Sequence, residues 1–485
     1  MSGLSKKILA LTGPILGLAI YFSFDLIPGR PEATFMAGLA VWMAWWWLTE
    51  SVHFAITALL PLIFLPLSGI SEFTDTGAEY FDRIIFVFAG GFVIAMGMEK
   101  WNLHTRLALS ILSVLGGKPH FIVFGTMLSA FLLSMWISNT ATVMSMLPAV
   151  LAIVSGSGLS ESTKGFVKFR AALLIGLSYA ASIGGMATLV GTPTNMIFYG
   201  KYTKLFPEST ALDFGSWFAM AFPISLSLLI ACFGILYLLF LRGTGGAQFP
   251  RQYFRDEKNK LGPPGRNEKI IAVVFLVTAL LWFSRSGLTL GSVTLPGWGK
   301  LIPWPFLNHD FLPAVVLGGL LLVIPSKKNS SSPLVTLRDA RKLPFDIMVL
   351  FGGGFALASG IEASGLSNWL ADGLSWFSSF PSWAFIGAMC LLICIISEVA
   401  SNVACIQLML PVLIALYPKL GLDPLFLFIP ATLSASLGFM LPVATAPNTI
   451  VFGTRQIGIR QMASAGLLMD IAGVILITLF MYLYF

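Results

Sequence analysis

The stretch Trp136-Ile137-Ser138-Asn139-Thr140-Ala141-Thr142 interrupts a long apolar run with several polar side chains. A second copy reads Ala400-Ser401-Asn402-Val403-Ala404-Cys405, and its serine follows the first serine by 263 residues. The same separation relates Gly90-Gly91-Phe92 to Gly353-Gly354-Phe355. One register that holds across several motifs indicates an internal repeat.

A second pair of polar interruptions lies further along each half, at a separation of 253 residues. Gly191-Thr192-Pro193-Thr194-Asn195 breaks one apolar segment, and Ala444-Thr445-Ala446-Pro447-Asn448 breaks the other. A proline removes a backbone donor and a glycine loosens the helix, so carbonyl groups are freed at membrane depth. Corresponding breaks in two halves of an apolar chain indicate a transporter's binding site.

The composition excludes a soluble globular protein. Of 485 residues, 56% are hydrophobic and 11% are charged, whereas soluble domains carry about 25% charged residues. Mean hydropathy is +0.86, and apolar runs of spanning length recur along almost the whole chain. We therefore expect an all-α polytopic membrane protein within the lipid bilayer. The net charge of +7 needs no nucleic-acid partner, because the basic residues follow the membrane topology described below.

Two segments have arms that are short for a full span. In residues 121–154, about 16 mostly apolar residues precede Ser138 and about 12 follow Thr142, whereas a span needs about 20. Basic residues flank both ends, so we predict a re-entrant hairpin that enters and leaves on one side. Residues 382–417 repeat the pattern. The predicted architecture is about eleven transmembrane helices plus two re-entrant helical hairpins in an inverted repeat, with two broken helices.

The distribution of lysine and arginine predicts the orientation. When successive connecting segments are assigned to alternate sides, 22 of these residues fall on one side and 7 on the other. Basic residues accumulate on the cytoplasmic side, so we predict a cytoplasmic N-terminus and an external C-terminus in the cell's inner (plasma) membrane. The two repeats then begin on opposite sides. Their hairpin tips are expected to meet near the membrane midplane.

Each hairpin tip offers groups for both an anion and a cation. A serine and an asparagine begin the returning half-helix, where free N–H groups and the positive end of the helix dipole favour an anion. Carbonyl groups that end the other half-helix, with the serine and asparagine oxygens, suit a hard cation such as sodium. The alternative is that these residues only cap broken helices. Two copies, each followed by a broken span, favour a functional role.

Two other classes of protein are weaker alternatives. A channel could contain such hairpins but does not require inverted pairs of them. An intramembrane hydrolase needs a nucleophile with a base or a metal, and no histidine accompanies Ser138 or Ser401 in the sequence. The chain is therefore not expected to be an enzyme.

Glu398 lies four positions before Asn402, and its counterpart in the first repeat is Met135. A carboxyl group at membrane depth is a candidate functional residue. The alternative is a structural role, in which Glu398 is hydrogen-bonded to the backbone and stabilises the hairpin.

The paired tips and breaks resemble the signature of the divalent anion/sodium symporter family, the INDY-type sodium-coupled dicarboxylate transporters. The resemblance covers nearly the whole chain and implies sodium-coupled import of C4-dicarboxylates such as succinate, malate and fumarate. It also implies a homodimer in which each protomer has a scaffold and a transport domain that moves by an elevator mechanism. The implied boundaries are 1–117 and 244–380 for the scaffold, and 118–243 (hairpin 1, broken span 5, span 6) and 381–485 (hairpin 2, broken span 10, span 11) for the transport domain.

The resemblance further implies which residues bind the cargo. The first sodium site would be formed by Ser134, Ser138, Asn139 and Gly191. The second would be formed by Ser397, Ala400, Asn402 and Ala444. The substrate carboxylates would contact Asn139, Thr140, Asn402, Val403, Thr445 and Ala446.

Two positions depart from the pattern of the family. Val403 stands where many members have threonine, which removes one hydroxyl group, and Ala446 replaces a proline that is common at the second break. Both departures leave the substrate open, so a sodium-coupled citrate or sulfate transporter is an alternative. The family also contains sodium-independent dicarboxylate exchangers, although the retained oxygen ligands favour symport.

The predicted topology can be tested by labelling. Single cysteines that replace Ser330 and Ser379 in a cysteine-free background should react with an impermeant maleimide from opposite sides of the membrane. Ser330 lies in a segment rich in lysine and arginine, so its replacement should be labelled from the cytoplasm. Labelling of both positions from one side would contradict the inverted repeat.

Overall fold

The computed structural model describes an almost entirely helical chain. It describes residues 3–115, 117–156, 163–207, 209, 212–242, 251–290, 293–304, 307–326, 332–373 and 380–484. The labelling positions Ser330 and Ser379 lie outside these ranges.

The first half contains helices α1 (Gly3–Ser23), α2 (Pro31–Thr49), α3 (Phe54–Ala58), α4 (Leu60–Leu67), α5 (Phe73–Ala78), α6 (Arg83–Lys100), α7 (Leu103–Leu115), α8 (Pro119–Ser134), α9 (Asn139–Ser155), α10 (Lys164–Met186), α11 (Pro193–Leu205) and α12 (Phe214–Leu236). The connection to the second half contains α13 (Arg251–Lys260), α14 (Arg266–Ser284) and the strands β1 (Gly287–Leu290) and β2 (Val293–Pro296). The second half contains α15 (Phe311–Leu321), α16 (Leu337–Ala340), α17 (Phe345–Ala363), α18 (Leu366–Gly373), α19 (Ser382–Val399), α20 (Asn402–Leu420), α21 (Pro424–Ser434), α22 (Ala446–Gly453) and α23 (Ile459–Tyr484).

The helical membrane fold is confirmed. Among the described residues, nine helices are long and apolar enough to cross a membrane, judged by length and composition. Two of the nine, α19 and α20, are the arms of the second predicted hairpin, whereas the arms of the first are shorter. The total of eleven spans and the inverted relation of the repeats stay predictions. The one pair of strands in the described segments, β1 and β2, forms a short antiparallel hairpin in the connection between the halves.

Helix α10 forms the centre of the packing around the first hairpin. Every residue from Ala171 to Met186 is buried, and the helix contacts α8, α9, α12 and α22. A Cβ atom at Gly184 would lie 2.2 Å from the carbonyl oxygen of Phe131, so glycine lets the two backbones touch. The first hairpin is thereby held against a helix that is buried on all sides.

The two halves interlock where the hairpins return. Helix α9, the returning arm of the first hairpin, packs against α22, and α20, the returning arm of the second, packs against α11. Each hairpin therefore contacts the broken helix of the other half. A hydroxyl pair, Thr194 Oγ1 and Ser436 Oγ at 3.2 Å, also joins the two broken helices.

Glycines in α17 allow close contacts with α3 and with the second hairpin. A Cβ atom at Gly353 would lie 2.2 Å from the carbonyl oxygen of Ala58, and one at Gly354 would lie 1.6 Å from the side chain of Gln407. Gln407, in α20, donates a hydrogen bond to the carbonyl oxygen of Leu350 at 2.9 Å. The Gly352-Gly353-Gly354 run therefore serves close helix packing.

Candidate functional site

The first hairpin tip is a helix cap with an internal hydrogen bond. Ser138 is the N-cap of α9, and its Oγ accepts a hydrogen bond from the backbone N–H of Ala141 at 3.2 Å. Asn139 is the first residue of α9, and its Oδ1 accepts from the hydroxyl of Ser134 at 2.7 Å. Ser134 is buried and Asn139 is half-buried. The tip therefore holds the asparagine oxygen towards the protein interior.

The second hairpin tip repeats this geometry. Ser401 caps α20 through the N–H of Ala404 at 3.2 Å, and the hydroxyl of Ser397 lies 2.9 Å from Oδ1 of Asn402. The same hydroxyl lies 2.6 Å from the carbonyl oxygen of Ala435. A hydroxyl has one proton and can donate to one of these two oxygens at a time. In both tips, a buried serine five residues before the asparagine orients its amide.

The first broken helix is braced by one asparagine. Helix α10 ends at Met186 and α11 begins at Pro193, whose missing N–H is tolerated at a helix start. Between them the chain is buried. The amide nitrogen of Asn195 donates to the carbonyl oxygens of Gly185 at 3.1 Å and Thr188 at 2.8 Å. The carbonyl oxygen of Met186 lies 3.2 Å from the same nitrogen. Asn195 thus replaces helical hydrogen bonds that the break removes.

The second broken helix carries an equivalent brace. The amide nitrogen of Asn448 donates to the carbonyl oxygens of Gly438 at 3.0 Å and Leu441 at 3.1 Å. These carbonyls lie ten and seven residues before the asparagine, as in the first copy. Oδ1 of Asn448 accepts from the hydroxyl of Ser178 at 2.6 Å, which ties the brace to α10.

A glycine next to each brace lets the hairpin tip approach the break. A Cβ atom at Gly185 would lie 2.4 Å from Oδ1 of Asn139 and 3.1 Å from the carbonyl oxygen of Gly191. At the equivalent Gly438, a Cβ atom would lie 3.2 Å from the carbonyl oxygen of Ser397 and from Cβ of Ala444. Any side chain at these positions would push the tip away from the broken helix.

The structure therefore assembles two similar oxygen clusters from the predicted residues. One brings together Ser134, Asn139 and Gly191, and the other Ser397, Asn402 and Ala444. Hydroxyl, amide and carbonyl oxygens are neutral ligands of the kind that hold monovalent cations in broken transporter helices. Each cluster also lies at the N-terminus of a long helix, α9 or α20, which favours an anion on its open side.

The remaining predicted residues occupy the edges of these clusters. Thr445 is 8% exposed and caps α22, because its Oγ1 accepts from the N–H of Asn448 at 3.3 Å. Ala400 is buried, and its N–H donates to the carbonyl oxygen of Ile396 at 2.9 Å. Four further predicted residues are half-buried or exposed, namely Ser138, Thr140, Val403 and Ala446. The hydrogen bonds of the described residues do not join these four to either cluster.

Glu398 is hydrogen-bonded to backbone N–H groups, as the structural role considered in the sequence analysis predicts. Its carboxyl oxygens accept hydrogen bonds from the N–H groups of Met440 at 2.7 Å and Leu441 at 2.8 Å. Both residues belong to the unwound segment of the second broken helix. Glu398 therefore holds that segment against the second hairpin tip.

Several residues that shape the site were not singled out from the sequence. In the sequence, Asn195 and Asn448 are only markers of the repeat, and the motifs quoted above do not include Gly185 or Gly438. A signal was present, because Gly185 and Gly438 share the separation of 253 residues with the two asparagines. The hydroxyl of Thr188 donates to the carbonyl oxygen of Met135. Its counterpart in the second half is Leu441, so no repeated motif marks Thr188 in the sequence.

Comparison with known proteins identifies the family. The profile described as the sodium:sulfate symporter transmembrane region matches residues 15–485. The chain is 35% identical over 488 residues to the sodium-dependent dicarboxylate transporter SdcS of Staphylococcus saprophyticus subsp. saprophyticus, covering 97% of this chain and 91% of that protein. SdcS of Staphylococcus aureus is 34% identical, with 97% and 90% covered. This chain belongs to the divalent anion/sodium symporter family, and it is a membrane transporter rather than an enzyme.

Two solved transporter structures share the fold. The YdaH transporter of Alcanivorax borkumensis has a TM-score of 0.58 at 16% identity, covering 87% of this chain and 88% of that one. MtrF of Neisseria gonorrhoeae has a TM-score of 0.56 at 15% identity, covering 84% and 83%. At these identities the likeness supports the arrangement of helices alone.

The unfolding temperature of variants tests whether Asn195 and Asn448 stabilise the two broken helices. Asn195→Ala removes the donor to buried carbonyl groups, and Asn448→Ala removes the donor to one buried and one half-buried carbonyl group. Each unsatisfied buried group costs about 1–3 kcal/mol. Both variants should unfold at lower temperature than the wild type in detergent. Asn368→Ala changes an exposed asparagine and is the matched control. Equal unfolding temperatures in all three variants would show that the two asparagines do not stabilise the broken helices.

Proposed function

We propose that this chain imports C4-dicarboxylates such as succinate, malate and fumarate together with sodium ions. The proposal depends chiefly on one observation: two hairpin tips of equal geometry each close an uncharged oxygen cluster against a broken helix. The names of the relatives, sodium-dependent dicarboxylate transporters, support the same cargo.

Sodium is the cargo that we propose for the two oxygen clusters. The first site uses Ser134, Ser138, Asn139 and Gly191, and the second uses Ser397, Ala400, Asn402 and Ala444. The free carbonyls of broken helices coordinate sodium in other transporters, which supports this choice. A sodium ion in each cluster would compete with the serine hydroxyl for the asparagine oxygen.

The substrate would lie between the tips, on the open side of the same asparagines. An amide has an acceptor oxygen and a donor nitrogen, so Asn139 and Asn402 can each face a cation with Oδ1 and a carboxylate with Nδ2. Backbone N–H groups at the starts of α9 and α20 add to the attraction for an anion. Thr140, Val403, Thr445 and Ala446 complete the proposed substrate contacts. Because one residue serves both ligands, sodium binding and substrate binding are coupled.

Transport by an elevator motion requires that the two parts of the protomer separate and re-dock. In our proposal residues 118–243 and 381–485 move against residues 1–117 and 244–380, within a homodimer whose N-terminus is cytoplasmic. Polar contacts cross these boundaries, and such contacts can be exchanged for others during the motion. Lys204 pairs with Glu79 at 2.5 Å, and the hydroxyl of Tyr199 donates to Asp310 at 2.7 Å.

A second candidate cargo is citrate or sulfate, again coupled to sodium. Val403 favours it, because a carboxylate at the second tip lacks the hydroxyl donor that Thr140 supplies at the first. The two ends of the substrate would then be held unequally, which suits an anion other than a symmetric dicarboxylate. Exchange of dicarboxylates without sodium is the further alternative.

Uptake into proteoliposomes tests the coupling. Labelled succinate should accumulate only when the sodium concentration is higher outside, because the two cation clusters must fill before the substrate is held. Equal uptake in potassium or choline would contradict symport. Protein-free liposomes are the control, and competition by unlabelled succinate, citrate and sulfate ranks the candidate substrates.

Removal of either tip amide should abolish this uptake. Asn139→Ala and Asn402→Ala each delete a group that serves the cation and the substrate together, and one charge-assisted hydrogen bond contributes about 1.5–3 kcal/mol. The exposed Asn368→Ala variant should transport normally. Both tip variants should purify as the wild type does. Near-normal uptake by either variant would assign the tips a capping role alone.

A further inference from the structure

Thr188 lies where the first broken helix meets the first hairpin. It is fully buried, follows the end of α10, and begins the turn that leads to Gly191. Its hydroxyl donates a hydrogen bond to the carbonyl oxygen of Met135 and accepts one from the N–H of Gly191 at 3.1 Å. One side chain therefore joins the hairpin to the residue whose carbonyl oxygen belongs to the first cluster.

The backbone of Thr188 stabilises the same turn. Its carbonyl oxygen accepts from the N–H of Gly191 at 3.3 Å and from the amide nitrogen of Asn195 at 2.8 Å. The N–H of Gly191 is thus shared between the carbonyl and hydroxyl oxygens of Thr188. Glycine is the residue with the greatest backbone freedom, so this fixed N–H restricts how Gly191 can turn its own carbonyl group.

Met135 is the residue of the hairpin that Thr188 contacts. It is the C-cap of α8, and carbonyl groups at a helix C-terminus lack a partner within the helix. The preceding residue is Ser134, whose hydroxyl donates to Oδ1 of Asn139. The hydroxyl of Thr188 therefore acts next to a proposed ligand on the hairpin and, through Gly191, on a proposed ligand of the broken helix.

The second half connects the equivalent positions with a side chain from the other partner. Glu398 is the counterpart of Met135, and Leu441 is the counterpart of Thr188. Leu441 has no hydroxyl group, and its backbone N–H donates to the carboxyl group of Glu398 at 2.8 Å. Each half therefore joins its hairpin to its broken helix at the same two positions, once through a threonine and once through a glutamate side chain.

The turn itself is also repeated in the second half. The carbonyl oxygen of Leu441 accepts from the N–H of Ala444 at 3.2 Å and from the amide nitrogen of Asn448 at 3.1 Å. These hydrogen bonds correspond to the two that the carbonyl oxygen of Thr188 accepts. Two different side chains thus hold one backbone arrangement, which indicates that the connection between hairpin and turn serves the site.

A purely structural explanation is that Thr188 only supplies a partner for the carbonyl group of Met135. That explanation accounts for one of the two hydrogen bonds of the hydroxyl. The second, from the N–H of Gly191, uses the acceptor side of the same hydroxyl and lies within the cation cluster. The two explanations differ in what the loss of the hydroxyl should change: stability alone, or the sodium dependence as well.

We propose that Thr188 is a positioning residue of the first cation cluster. Its hydroxyl sets the distance between the hairpin tip and the turn that ends at Gly191, so that the oxygens of Ser134, Asn139 and Gly191 are spaced to bind one sodium ion. Thr188 acts through these residues and is not itself a ligand. The proposal rests on the sodium site proposed above and adds to it a residue that the sequence repeat does not mark.

The sodium dependence of variants tests this role. Thr188→Val keeps the shape of the side chain and removes both hydrogen bonds of the hydroxyl. The sodium concentration for half-maximal succinate uptake into proteoliposomes should rise about 2- to 13-fold, the scale of one neutral hydrogen bond, with little change in uptake at saturating sodium. Thr188→Ser keeps the hydroxyl and should retain the wild-type sodium dependence.

The matched control is Thr432→Val. Thr432 is also fully buried, and its hydroxyl donates to the carbonyl oxygen of Phe428 at 2.7 Å within α21. This variant should lose stability, measured as the unfolding temperature in detergent, and keep the wild-type sodium dependence. The rise of the unfolding temperature with sodium, against choline at equal ionic strength, reports sodium binding without transport.

An unchanged sodium dependence in Thr188→Val, or an equal shift in Thr432→Val, would overturn the positioning role. Thr188→Ala, with Thr432→Ala as its control, serves if the valine variant does not fold. Wild-type uptake that is equal in sodium and choline would contradict symport, and the sodium-induced stabilisation of the variants would then decide the role of Thr188. Absence of that stabilisation in the wild type would overturn both proposals.

Discussion

The structure depends on one constraint: a polypeptide that unwinds at membrane depth must satisfy its own backbone groups, because lipid offers no hydrogen bonds. Both broken helices meet this constraint with an asparagine, Asn195 or Asn448, whose amide binds carbonyls seven and ten residues earlier. The same hydrogen bonds hold the breaks beside the hairpin tips, where we propose that the cations bind.

The sequence predicted the fold class, the tips and the breaks because each is a local pattern, repeated at a fixed separation. The number of spans stays a prediction, because α19 and α20 are long enough to count as spans although they meet at a tip. The sequence also missed α13, a strongly polar helix in the connection between the halves that is anchored by the buried Phe254. The hydrogen bonds of Glu398 to Met440 and Leu441 join residues far apart in the chain, outside the repeated register, and only the packing of α19 against the second broken helix reveals them.

The two halves are alike in geometry and unlike in environment. Val190 and Val443 correspond at the separation of 253 residues, yet they are 9% and 75% exposed. The first break is covered by neighbouring helices such as α6, whose Gly91 lies next to Val190, while the second presents apolar surface. Corresponding residues of the two halves therefore lie in different environments.

We propose that both tips hold one substrate between them, each beside its own cation. The most direct measurement is a structure determined in lipid with sodium and succinate present. We expect density for one anion in contact with both Asn139 and Asn402, with a separate cation density against Ser134 and against Ser397. An anion bound to a single tip, or at a position away from both, would rule out this arrangement.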